Sequence, residues 1–128
     1  MSKKKIEQQV YRYATELMKE KGYVSPVDLF IKMDRLTQKQ VEDWRFKRIP
    51  YLERVAIGNL AKLNHALLSL RKYAMEMKLK PSITSYKSWG KGPKKSLRFS
   101  KSGSPYMEEL YSTHYVRPNK KKLEQKNS

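Results

Sequence analysis

The chain has 128 residues, room for one domain and one core, and 38% of them are apolar. It has no cysteine, so disulfides and thiolate metal sites are excluded, and the composition fits a reducing compartment. Twenty-nine Lys and Arg stand against 12 acids, a net charge of +17, which favours a polyanionic partner.

The opening Met1-Ser2-Lys3-Lys4-Lys5-Ile6 leads straight into a charged amphipathic pattern, with no signal peptide expected. No apolar run is long enough to span a bilayer, so no membrane partner is expected and the cytoplasm is the expected location. A first helix is predicted over residues 3–21, with Ile6, Val10, Tyr13 and Leu17 as its apolar stripe and Gly22 as its stop. Ser25-Pro26-Val27-Asp28 supplies an N-cap, a first-turn proline and a first-turn acid for a short helix ending near Met33. Thr37-Gln38-Lys39-Gln40 is a capping box that opens a third helix to about Phe46, burying Val41 and Trp44.

Pro50 begins the longest predicted element, a spine helix over 50–78 about 43 Å long. Ala56, Leu60, Leu63, Leu67, Leu70, Ala74 and Met77 form a heptad seam along it. The seam serves either as the core of one chain or as the interface of a homodimer. After Lys80-Pro81 the chain changes to Ser, Lys, Gly, Pro and isolated aromatics, and only residues 96–100 alternate like a strand. Trp89-Gly90-Lys91-Gly92-Pro93 is a turn or loop. Ser104-Pro105 starts a final short helix expected to reach Tyr115, and disorder is predicted from Arg117 through the tail. The expected fold class is therefore mainly α: a small bundle around one long helix. A helical domain at 1–79 carries a basic loop, short strand and terminal helix at 80–116, followed by a tail at 117–128.

Charge is uneven along this plan. Residues 78–128 carry 13 basic and 3 acidic side chains, and no acid lies between Lys78 and Met107. A solvated helix face would interleave acids with these cations. The basic, aromatic-spaced segment 78–101 offers Lys87, Trp89, Lys91, Lys94, Lys95, Arg98 and Lys101 to a nucleic acid, with exposed rings stacking on bases and cations following phosphates. Lys101-Ser102-Gly103-Ser104, a glycine turn entering a helix start, is a candidate phosphate cradle. Gly90-Lys91-Gly92 lacks the spacing of a nucleotide-binding P-loop.

Leu36, Thr37, Val41, Trp44, Arg48 and Pro50 together resemble the recognition-helix region of repressor-type helix-turn-helix proteins. That resemblance implies groove contacts from Thr37, Gln38, Lys39 and Gln40 and phosphate contacts from Arg45, Lys47 and Arg48. The chain departs from that pattern at Arg35, where the family has the turn glycine, and at Glu42 and Asp43, which add negative charge to the helix. Over its length, through Glu42–Arg45, Pro50–Val55 and Leu97–Gly103, it is similar to small basic bacterial proteins, a likeness that implies a bacterial origin and no function.

Two histidines, His65 and His114, match no triad or metal pattern, so no metal, no cofactor and no catalysis are expected. The one enzymatic alternative is a Mg²⁺-dependent nuclease using Glu108 or Glu109. The expected activity is non-enzymatic binding of DNA, RNA or a ribonucleoprotein. The alternative is a protein-interaction or ribosome-associated adapter, dimerising through residues 56–77.

Overall fold

The computed structural model describes residues 2–118. Helix α1 (Lys3–Lys21) is capped by the Ser2 side chain and closed by Gly22 at φ 80°, whose N–H bonds the Met18 carbonyl. Its core stripe is Ile6, Val10, Ala14, Leu17 and Met18, while Tyr13 lies half-buried at the edge. After strand β1 (Tyr23–Val24) comes helix α2 (Pro26–Lys32), with Ser25 as N-cap and Pro26 in its first turn. Helix α3 (Gln38–Arg45) opens on the complete Thr37–Gln40 capping box and buries Val41 and Trp44. The left-handed step between α2 and α3 falls on Asp34, at φ 59°, and not on Arg35. A short acidic side chain tolerates that conformation without glycine, so Arg35 is no obstacle to the turn.

Arg35 is buried instead, with Nη1 donating to the Ile57 carbonyl at 2.8 Å. This contact helps explain why the expected helix over 50–78 does not form as one piece. Residues Leu52–Arg54 make a single 3₁₀ turn, whose Leu52 and Glu53 amides bond the carbonyls of Arg98 and Phe99. Gly58, at φ 122°, then lies so close to Arg35 that a Cβ there would sit 2.4 Å from Nη1. Asn59 caps a fresh helix, α4 (Leu60–Glu76), about 26 Å long.

Helix α4 is the central helix of a mainly α fold. Leu63, Leu67, Leu70 and Ala74 of the seam are buried in this one chain, joined by Ala66 and Tyr73. Ala56 precedes the helix, Leu60 is 60% exposed, and Met77 is an exposed C-cap. The middle of the seam, Leu63 to Ala74, is therefore intrachain core, with Leu60 and Met77 exposed toward its two ends. Its regularity came from extending a helical period into a stretch that Gly58 and Arg35 bend away.

A three-stranded antiparallel sheet in the order β1-β3-β2 closes the fold, with β2 at Lys80–Ile83 and β3 at Thr113–Val116. Its register pairs Val24 with Tyr115 and Ile83 with Thr113. Helix α5 (Pro105–Ser112) stops three residues short of Tyr115, because Thr113–Val116 pairs on both sides. The hydroxyls of Ser112 and Thr113 help by donating to carbonyls of Glu108 and Glu109, occupying acceptors in the last turn. Residues 96–100 do not form the expected strand. Their only strand-like pairing is a bridge from Ser96 to Lys87 with a bond from the Leu97 amide to the Tyr86 carbonyl. Arg117 at the expected start of the tail bonds Gly22 and Met18 carbonyls, and residues 119–128 lie outside the described residues.

Candidate nucleic-acid interface

The two basic stretches that stand apart in the sequence meet in space. Trp44, fully buried, donates from Nε1 to the Arg98 carbonyl at 2.8 Å and packs on Phe99 and Tyr86. This pins the C-terminal end of α3 against a hairpin formed by residues 86–97. The Trp89 amide donates to the Arg45 carbonyl at 2.7 Å, and Arg45 Nη1 donates to the Lys87 carbonyl at 2.8 Å. The Arg45 guanidinium lies 4.5 Å from the Tyr86 ring centroid and 5.0 Å from that of Trp89. Partial burial lowers its pKa from the ordinary arginine value, but a guanidinium stays charged in proteins.

Beside it, Phe46 meets Trp89 edge-to-face at 5.6 Å, and Arg48 lies 5.0 Å over the Phe46 ring. Phe46 is 40% and Trp89 43% exposed, so both rings present area to solvent. The exposed Lys47 follows α3, and the exposed Lys87, Lys91, Lys94 and Lys95 lie on the hairpin. Eight of the expected contact residues thus lie on the end of α3 and the hairpin packed against it: Arg45, Lys47, Arg48, Lys87, Trp89, Lys91, Lys94 and Lys95. Phe46 belongs with them and was legible as a ring flanked by Arg45, Lys47 and Arg48, out of step with the buried stripe.

The remaining expected residues are placed otherwise. Gln40 is turned back on the helix, its Oε1 accepting from the Thr37 amide at 2.9 Å, so its acceptor serves the cap. Lys39 pairs with Asp43 at 3.0 Å, and Arg48 pairs with the same carboxylate at 2.9 Å. Those two bonds hold the Asp43 carboxyl below its usual range. Gln38 is exposed in the first turn of α3. Arg98 is exposed but folded back along its own loop, donating to the Ser100 and Lys101 carbonyls while lying over Tyr51.

The phosphate cradle is already filled by the protein's own groups. Glu108 accepts from the Phe99 amide, the Ser100 amide and the Ser100 hydroxyl at 2.9, 2.8 and 2.6 Å. Glu53 accepts from the Lys101 amide and from the Tyr111 hydroxyl. The Gly103 amide bonds Ser100 Oγ, the Ser104 amide bonds Ser102 Oγ, and Ser104 Oγ caps α5. The Lys101 amide is taken by a carboxylate and those of Gly103 and Ser104 by serine hydroxyls, so the backbone of Lys101, Ser102, Gly103 and Ser104 forms a structural joint, while the Lys101 side chain is exposed. The bonds from Phe99 and Ser100 commit both oxygens of Glu108 to that joint.

His65 contacts the Lys3 carbonyl at 3.1 Å. His114 shares a 2.7 Å hydrogen bond with the Tyr86 hydroxyl and stacks on Tyr23, and burial lowers its pKa. Among the described residues no three His, Asp or Glu side chains are grouped to hold a metal, and no helix is long and apolar enough to cross a membrane. Comparison with protein-family models, with curated proteins and with solved structures finds no match.

Proposed function

We propose that the protein binds nucleic acid, without chemistry on it, through the face formed by the end of α3 and the 86–97 hairpin. One observation carries this reading: Arg45 bonds the hairpin while stacking beside Trp89, so an exposed aromatic pair is fixed between the basic end of α3 and the basic hairpin. Cations of this kind follow phosphates and release counterions, and exposed rings stack on bases that a duplex does not offer. Single-stranded DNA or RNA, alone or in a ribonucleoprotein, is the partner that uses both features.

The test is fluorescence anisotropy with a labelled single strand and the matching duplex, between 50 and 200 mM salt. Lys91→Ala, Lys94→Ala and Lys95→Ala together should lower the salt slope by about one for each phosphate no longer neutralised. Phe46→Ala with Trp89→Ala should cut single-strand affinity more than duplex affinity. Binding that does not respond to salt would sink the proposal. A second reading, duplex recognition by the exposed start of α3, rests on Gln38 and Thr37, and predicts that Gln38→Ala erases discrimination among duplex sequences.

A further inference from the structure

Next to the aromatic pair a cleft of about 240 Å³ opens between α2 and α3 on one side and the start of the hairpin on the other. Trp89 and Arg45 belong to its wall, with Tyr86, Gln38, Asp28 and Lys21. Its size falls below the range for drug-sized ligands, which suits a single planar ring better than a larger molecule. Asp28 is held by Lys21 through Oδ2 at 3.0 Å, and its side chain remains one-quarter exposed. Gln38 lies outside the capping box that engages Gln40.

Resting on the nucleic-acid reading above, we propose that this cleft takes up one unpaired base of the bound strand, with guanine preferred. The base leaves the strand beside Trp89, which supplies a stacking surface, while the flanking phosphates stay on Lys87, Lys91, Lys94 and Lys95. An extruded base is read by hydrogen bonds to its pairing edge. Asp28 is an acceptor only, so it selects an edge that presents donors. Guanine offers two adjacent donors there, N1–H and the 2-amino group, and an acceptor at O6 that the Gln38 carboxamide or the Arg45 guanidinium can serve. Uracil and thymine would put a carbonyl on either side of their one donor and set it against the carboxylate. The acid, out of place on a phosphate-binding surface, has a use in reading a base.

The experiment measures binding of labelled oligothymidine nine nucleotides long, carrying at its centre guanine, thymine or an abasic site. The central guanine should bind roughly five- to a hundredfold more tightly than the abasic strand, the span expected for one stacked base. Thymine should fall between them. Gln38→Ala, at an exposed position, should reduce the preference for guanine over thymine, and Asp28→Asn should abolish it. Guanosine monophosphate should compete weakly, because it lacks the flanking phosphates. Equal, salt-dependent binding of the guanine and abasic strands would overturn the cleft proposal and leave the phosphate-binding face standing. Guanosine monophosphate binding as tightly as the strand would overturn it in favour of a free nucleotide. If none of the strands binds, the nucleic-acid reading fails and the cleft proposal with it.

Discussion

Glu108→Ala is expected to be among the most destabilising substitutions of an acid in this protein. The side chain accepts three hydrogen bonds, from the Phe99 and Ser100 amides and the Ser100 hydroxyl, all at 2.9 Å or less. Both donor residues are buried. Alanine leaves two amides and a hydroxyl without their acceptor, and bonds to a charged group contribute about 1.5–3 kcal/mol each. Because the three share one partly exposed carboxylate they do not add fully, and about 3–5 kcal/mol is expected for the set. That is a large fraction of a domain stability of about 5–15 kcal/mol. In urea, with a slope of about 1–3 kcal/mol per molar, the midpoint should fall by about 2 M. Glu109→Ala is the control, since its side chain is exposed and only its backbone carbonyl is used by Ser112 and Thr113. It should change stability by less than about 0.5 kcal/mol. The loop that Glu108 holds also carries the Arg98 carbonyl that fixes Trp44, so Glu108→Ala should weaken nucleic-acid binding as well. Equal stability of the two alanine variants would refute the reasoning.

Asp43→Asn releases Lys39 and Arg48 from their shared carboxylate, so strand affinity at low salt should rise several-fold and the salt slope steepen by up to about two; anisotropy titrations that show a fall or no change would contradict the placement of Arg48 on the binding face. The half-buried His114 ring has its pKa lowered from the ordinary 6.5 by desolvation, so the folded state favours the neutral ring. Its stabilising contribution is complete above about pH 6.5 and is lost as pH falls through the lowered value. Urea midpoints should therefore decline from pH 7 toward pH 5, and His114→Phe should flatten that decline; an unchanged slope would exclude His114 as its source.

Local signals were the legible part of the fold. Ser2 and Gly22 bound α1, Ser25 and Pro26 open α2, and Thr37 with Gln40 opens α3, because each end is decided by side chains within four residues of it. The failures share a different cause. Ala56 and Leu60 fit the heptad spacing, but Arg35, more than twenty residues earlier, holds Ile57 and leaves no room for a side chain at Gly58. Thr113–Val116 continues the pattern of a helix until the edges of β1 and β2 are there to pair with it. The cradle at 101–104 failed likewise: its glycine turn and helix start are local, whereas Glu53, far off in sequence, takes the Lys101 amide, and Glu108 holds Ser100 just before it. The site was half legible, since exposed cations announce themselves by composition. Their joining to Arg45 depends on Trp89 and Lys87, more than forty residues away.

The distribution of acids explains how so basic a chain can fold and still leave one face charged. Every ion pair among the described residues uses a cation from α1, α2, α3, α4 or the turn after α3. None uses a cation from residues 78–101. Glu53 and Glu108, which lie nearest that segment in the fold, are bonded to amides and hydroxyls and do not form ion pairs with lysine or arginine. Repulsion among these lysines therefore opposes the compact hairpin, and no ion pair among the described residues relieves it. Phosphates laid along Lys87, Lys91, Lys94 and Lys95 would relieve it, and any ligand that binds only the folded state adds to its stability. On this reading the same lysines that weaken the free hairpin supply the free energy of binding, and the bonds from Arg45 to Lys87 and Trp89 keep the hairpin in place until a strand arrives.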